Sequence, residues 1–148
     1  MFAAIRPDAW DLPLFLHVAG SMLLVAGLLT GGAAVAIARG QQRLLRLGYF
    51  SLLAMSLPGW IVMRAGAEWI YDKEGFSGDD DPAWLGIGFV TADIGGLLLL
   101  VALIAGGVGV RRLRRGGGSG LLTVTAVLAL VALAGYLVAV WAMGAKPD

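Results

Sequence analysis

Four side chains able to carry charge stand inside stretches that are otherwise apolar: His17, Arg64, Glu68 and Asp93. A charge at the centre of a bilayer costs at least about 2.5–3.5 kcal/mol, so such residues need a partner, water or a ligand. Spacing suggests the partners. Arg64 and Glu68 are four residues apart, which places them on one face of a helix. Arg64 lies 18 residues beyond Arg46, and Asp93 lies 18 residues before Arg111. At 1.5 Å per residue both stand roughly 27 Å from those basic flanks. His17 lies 22 residues before Arg39 and Glu68 lies 22 beyond Arg46, which puts both at roughly 33 Å. The count predicts Arg64 opposite Asp93, and Glu68 opposite His17 nearer the surface. Such a cluster could bind a small ligand, move a proton or hold a cofactor. It also has a purely structural reading, in which an Arg–Asp pair fixes helix register and charges near the interface snorkel to water.

The elements that must position these residues are four apolar runs: Leu14–Ala38, Gly48–Ile70, Trp84–Val110 and Gly120–Gly144. Crossing about 30 Å of hydrocarbon takes about 20 apolar residues in a helix. The chain is 59% hydrophobic and 14% charged, with a mean hydropathy of +0.84. Soluble domains carry nearly twice that share of charge. The runs show no strict apolar–polar alternation, so they are read as helices rather than barrel strands. The expected fold is all-α: one integral membrane domain over residues 1–148, a bundle of four transmembrane helices. The first run follows Asp8 and Asp11 rather than a basic cluster, which argues for a retained span rather than a cleaved leader.

Charge is sorted by side. Arg39, Arg43 and Arg46 fall between the first two runs, and Arg111, Arg112, Arg114 and Arg115 between the last two. The other ends hold most of the carboxylates, including Asp72, Glu74 and the Asp79–Asp81 run. The positive-inside rule then places both termini outside the cytoplasm, in a multi-pass plasma-membrane protein of bacterial type. Trp10, Trp69, Trp84 and Trp141 cluster at the predicted outer ends, as an interfacial belt would, and only Trp60 lies mid-span. The seven arginines are expected to meet anionic lipid heads in the bilayer. Without interleaved aromatics they give no reason to expect nucleic acid. The three consecutive aspartates lack the spaced ligands of a calcium loop. Asp81 reads instead as the N-cap of the third helix, with Pro82 at the first helical position.

Two further patterns concern packing. Leu23–Gly32 (LLVAGLLTGG) resembles Leu99–Gly107 (LLVALIAGG), and both precede basic loops, which suggests a parallel repeat of two hairpins. Gly27 and Gly31 form a GxxxG, and Gly106, Gly107 and Gly109 line the inner end of the third run. Small residues at this spacing let helices approach closely, within the bundle, in a homo-oligomer or against a larger membrane complex.

The segment Leu16-His17-Val18-Ala19-Gly20, followed by Leu23, Leu24 and Gly27, resembles the first helix of several small bacterial membrane families. These are the CopD-type copper-resistance proteins, a group of predicted integral membrane proteins and the HemJ-type protoporphyrinogen oxidases, which share an LHxxG-like element. The resemblance implies a haem b or metal role for His17, with Met22, Met55 or Met63 as a second axial ligand and Arg64 against a propionate. The chain departs from that pattern in having a single histidine, and with no cysteine it lacks thiolate ligands and a CxxCH haem attachment. There is no nucleotide-binding loop, no HExxH and no recognisable Ser/His/Asp spacing, so no catalytic motif is found. The candidate ligand or cofactor residues are therefore His17, Met63, Arg64, Glu68 and Asp93. The alternatives are a structural or accessory subunit of a membrane complex and a small proton-coupled transporter.

Overall fold

The computed structural model describes residues 11–76, 78 and 81–145. Trp10, Asp8, Asp79, Asp80 and Asp148 lie outside them. Four helices account for nearly all of the rest: α1 (Asp11–Ile37), α2 (Gln42–Glu74), α3 (Ala83–Arg114) and α4 (Gly120–Ala145). All four are long and apolar enough to cross a membrane. Large apolar side chains point outward along them, Met22 at 68% and Ile104 at 69% exposure among many. Water would not tolerate an apolar surface of that extent, whereas lipid does. The chain is a multi-pass membrane protein with an all-α, four-helix bundle. One end, where α2 leads into α3, carries most of the carboxylates; the other carries the arginine-rich turns. These are the acidic and basic ends below.

α2 starts six residues before the apolar run because its first two turns are amphipathic. Leu45 and Gly48 face the bundle, while Arg43 and Arg46 are exposed. In mid-span, Leu52–Ser56 widens into a single π turn. Pro58 has no N–H for the carbonyl of Ala54, and its ring crowds that carbonyl. The wider turn just before it supplies the room, as π-bulges commonly do.

Going round the bundle the order is α2, α1, α4, α3. The α1–α2 contact is backbone against backbone. A Cβ on Gly59 would lie 2.5 Å from the Leu24 nitrogen, and one on Gly66 would lie 2.6 Å from the His17 nitrogen. Gly27 faces Ser56, and Gly31 faces Leu52 and the Gly48 carbonyl. The GxxxG therefore works inside the protomer, closing α1 onto α2. α1 also seats on α4, where Gly32 meets Leu130 and Ala129.

A two-hairpin repeat would make the α2–α3 contact equivalent to the α1–α4 contact. It is not: α2 and α3 stand further apart, and large side chains bridge them. Tyr49 lies against Gly106 and Gly107, and Trp60 against Gly96. Aromatic rings on glycine surfaces hold this seam where helix backbones hold the other. Asp81 also departs from expectation. The N-cap position of α3 falls on Pro82, with no side-chain cap bond. The Asp81 carboxylate instead accepts hydrogen bonds from the Tyr71 hydroxyl (2.8 Å) and the Gly78 amide (3.3 Å), tying the loop to the end of α2.

Candidate functional site

Because α2 and α3 are held apart, the acidic half of the bundle opens into a partly enclosed cavity of about 250 Å3. All four helices contribute to its wall, which is mainly apolar. Leu24, Ala92 and Tyr136 lie deep in it, and Phe76 and Trp84 stand toward the acidic end. Its polar members include His17, Ser21, Arg64 and Tyr136. Toward the basic end the core closes around fully buried Leu28, Leu52 and Leu99.

His17 is held in place by the glycine contact. Gly66 lets the α1 backbone approach α2, and the ring then reaches the Met63 carbonyl, Nδ1 to oxygen 3.1 Å. That carbonyl only accepts, so the hydrogen resides on Nδ1 and Nε2 is the ring nitrogen left for the cavity. The sequence count paired His17 with Glu68, and the structure corrects this. The count ran to Arg39 as if the helix did, whereas α1 ends at Ile37; counted from there His17 falls opposite Gly66, not Glu68. His17 sits about half a turn closer to the cavity floor than expected, level with Gly66.

Arg64 does meet Asp93, with Nε 3.1 Å from the carboxylate. It also pairs with Glu68 on its own helix, and its guanidinium carbon lies 4.7 Å from the centroid of the Phe89 ring. Arg64 is only 23% exposed, whereas Glu68 and Asp93 are 52% and 60% exposed. The cluster thus divides. His17, Met63 and Arg64 line the cavity, while the two carboxylates stand outside it and hold the guanidinium, Glu68 from the same helix and Asp93 from α3, so that the Asp93 pair joins α2 to α3.

Two residues that the sequence did not single out as site members converge on Ala92, which lines the cavity. The Trp60 indole N–H donates to the Ala92 carbonyl at 2.9 Å, and the Tyr136 hydroxyl donates to the same oxygen at 3.2 Å. Gly95 and Gly96 make this convergence possible, since a Cβ on either would overlap one of the two rings. The mid-span position of Trp60, against the belt formed by the other tryptophans, was the one available signal. Tyr136 gave a weaker one, as the lone hydroxyl in the second half of α4.

The donor set fits haem poorly. A His that donates Nδ1–H to a carbonyl is poised for ligation through Nε2, but a cavity of about 250 Å3 lies below the roughly 300–1,000 Å3 of drug-sized sites. A haem belongs at the upper end of that range. Arg64 already faces two carboxylates, so it has little to offer a propionate. Of the methionines proposed as second ligand, Met22 points outward and half-buried Met55 accepts a hydrogen bond from Ser51. Only Met63 reaches the cavity. Among the described residues no three His, Cys, Asp or Glu side chains gather closely enough to hold a metal ion.

No family model, no curated protein and no solved structure matches the chain. The likeness to LHxxG-type first helices therefore rests on the residues around His17 alone.

Proposed function

We propose that this chain is a membrane protein that binds one small, largely apolar molecule in the cavity at its acidic end, with that end facing away from the cytoplasm. The observation that carries the reading is the meeting of His17 and Arg64, from two helices, at one apolar cavity. Pockets of this kind, with few polar groups on apolar walls, are the usual form of a small-molecule site. The closed core around Leu28, Leu52 and Leu99 favours binding over passage of a solute. The carboxylates of Asp93 and Glu68 serve the site by holding Arg64. The arginine-rich end lies in the cytoplasmic leaflet and meets anionic lipid heads.

Saturable binding tests the site. The protein in lipid nanodiscs is titrated with ethylbenzene while tryptophan fluorescence is followed, alongside Ala139→Leu, which fills the cavity wall. Saturation in the native protein, lost in the variant at unchanged thermal stability, is the expected result. A linear, unsaturable response in both would remove the reading.

A further inference from the structure

The cavity's polar side chains share a property that their residue types do not reveal. The Ser21 hydroxyl donates to the His17 carbonyl at 2.7 Å. The His17 ring donates from Nδ1 to the Met63 carbonyl, and the Tyr136 hydroxyl donates to the Ala92 carbonyl. At the mouth the Tyr71 hydroxyl donates to Asp81. Backbone carbonyls and carboxylates cannot donate in return, so each of these hydrogens is committed by its partner's chemistry. Leaving aside Trp84 at the mouth, what His17 and Ser21 can offer a ligand is lone pairs: Nε2 of the imidazole whose hydrogen sits on Nδ1, and Oγ of the serine. Arg64 is the exception, a donor whose charge is largely offset. Its Nε donates to Asp93 and its charge is set against those of Asp93 and Glu68, one positive against two negative, although its Nη1 is buried without a hydrogen-bond partner among the described residues. Glu74, a further carboxylate, stands on the cavity wall.

Such a lining discriminates by hydrogen-bond polarity. At His17 and Ser21 a carbonyl or ether oxygen would place lone pair against lone pair. A carboxylate would enter a neighbourhood already carrying excess negative charge. A hydroxyl would satisfy an acceptor and keep the rest of the molecule in apolar surroundings. An ammonium also donates, but leaving water for an apolar cavity penalises a full charge severely. Size narrows the class further. A cavity of about 150 Å3 holds a benzene ring, and this one, at about 250 Å3, has room for a substituted single ring.

From these contacts we infer that the cavity selects an uncharged, lipophilic hydroxyl compound, of the class of single-ring phenols, which donates its hydrogen to Nε2 of His17. The inference rests on the binding reading above and specifies its ligand. Three probes of matched size separate the terms: para-ethylphenol, its methyl ether, and para-ethylbenzoate, each titrated into the nanodisc-embedded protein with tryptophan fluorescence as readout. The phenol is expected to bind at least about tenfold more tightly than the ether, the worth of one hydrogen bond to a buried acceptor. Benzoate is expected to bind more weakly still. His17→Phe, which keeps a ring in place, should bring phenol and ether to equal affinity while the ether's own binding persists. That persistence shows that the variant is folded. Equal binding of phenol and ether to the native protein would overturn the donor preference and leave the binding site standing. Tighter binding of benzoate would overturn it as well, whereas saturable binding of no probe would remove the site itself.

Discussion

Gly66→Ala adds one methyl group where the structure has no room for it. The new carbon would lie 2.6 Å from the His17 nitrogen, 2.9 Å from its Cα and 2.9 Å from the Pro13 carbonyl oxygen. All three are backbone atoms, so no side chain can rotate away. Contacts of this kind relax toward about 3.5 Å, which requires the two helices to separate by about 1 Å. The His17–Met63 hydrogen bond, 3.1 Å long, would then exceed bonding distance. Overpacking costs about 1–3 kcal/mol, and the lost hydrogen bond about 1 kcal/mol more. Alanine's better helix propensity returns about 1 kcal/mol, leaving a net loss of about 1–3 kcal/mol. Gly86→Ala is the control, because nothing lies within 4 Å of a Cβ there; it should be neutral or stabilising by up to about 1 kcal/mol. Unfolding of both variants in mixed micelles, followed by tryptophan fluorescence, gives the comparison. The glycine-clamp reasoning fails if Gly66→Ala matches the native protein, or if Gly86→Ala loses as much.

Three further outcomes follow from the same contacts. Replacing Arg64 by Gln and Asp93 by Asn, singly and together, should give a coupling energy of about 0.5–1.5 kcal/mol in a double-mutant cycle, the range found for polar pairs between membrane helices. Additive effects would mean that the pair does not join α2 to α3. Trp60→Phe removes the hydrogen bond to the Ala92 carbonyl and keeps most of the ring; it should cost about 0.5–1 kcal/mol, whereas Trp60→Ala should cost about 3–5 kcal/mol and enlarge the cavity. Because the chain has no cysteine, Lys73→Cys and Gly118→Cys each provide a single thiol. In intact cells a membrane-impermeant thiol reagent should label the first and spare the second, and the reverse pattern would invert the proposed orientation.

The helices and the Arg64–Asp93 pair were legible in the sequence because both follow from simple rules. Apolar runs of membrane length must be helical, and two opposite charges at equal height in lipid attract. The expected His17–Glu68 pairing failed because residue counting carried the helix on to Arg39, whereas α1 ends at Ile37. The Asp81 cap failed because Tyr71 and Gly78 offered that carboxylate better-placed donors. Trp60 and Tyr136 escaped notice for another reason. Their common partner is a backbone carbonyl, which every residue carries and which no residue letter distinguishes. The cavity was equally hidden, since it arises where α2 and α3 fail to close and not from any residue present.

The tautomer of His17 tests the site most directly, and the sole histidine in the chain makes its ring signals unambiguous. In 15N magnetic resonance of the labelled protein in bilayers, the neutral ring should carry its hydrogen on Nδ1, with Nε2 showing the shift of an unprotonated nitrogen. A ring protonated on Nε2, or one averaging freely between the two forms, would contradict the Met63 hydrogen bond and the ligand site built upon it.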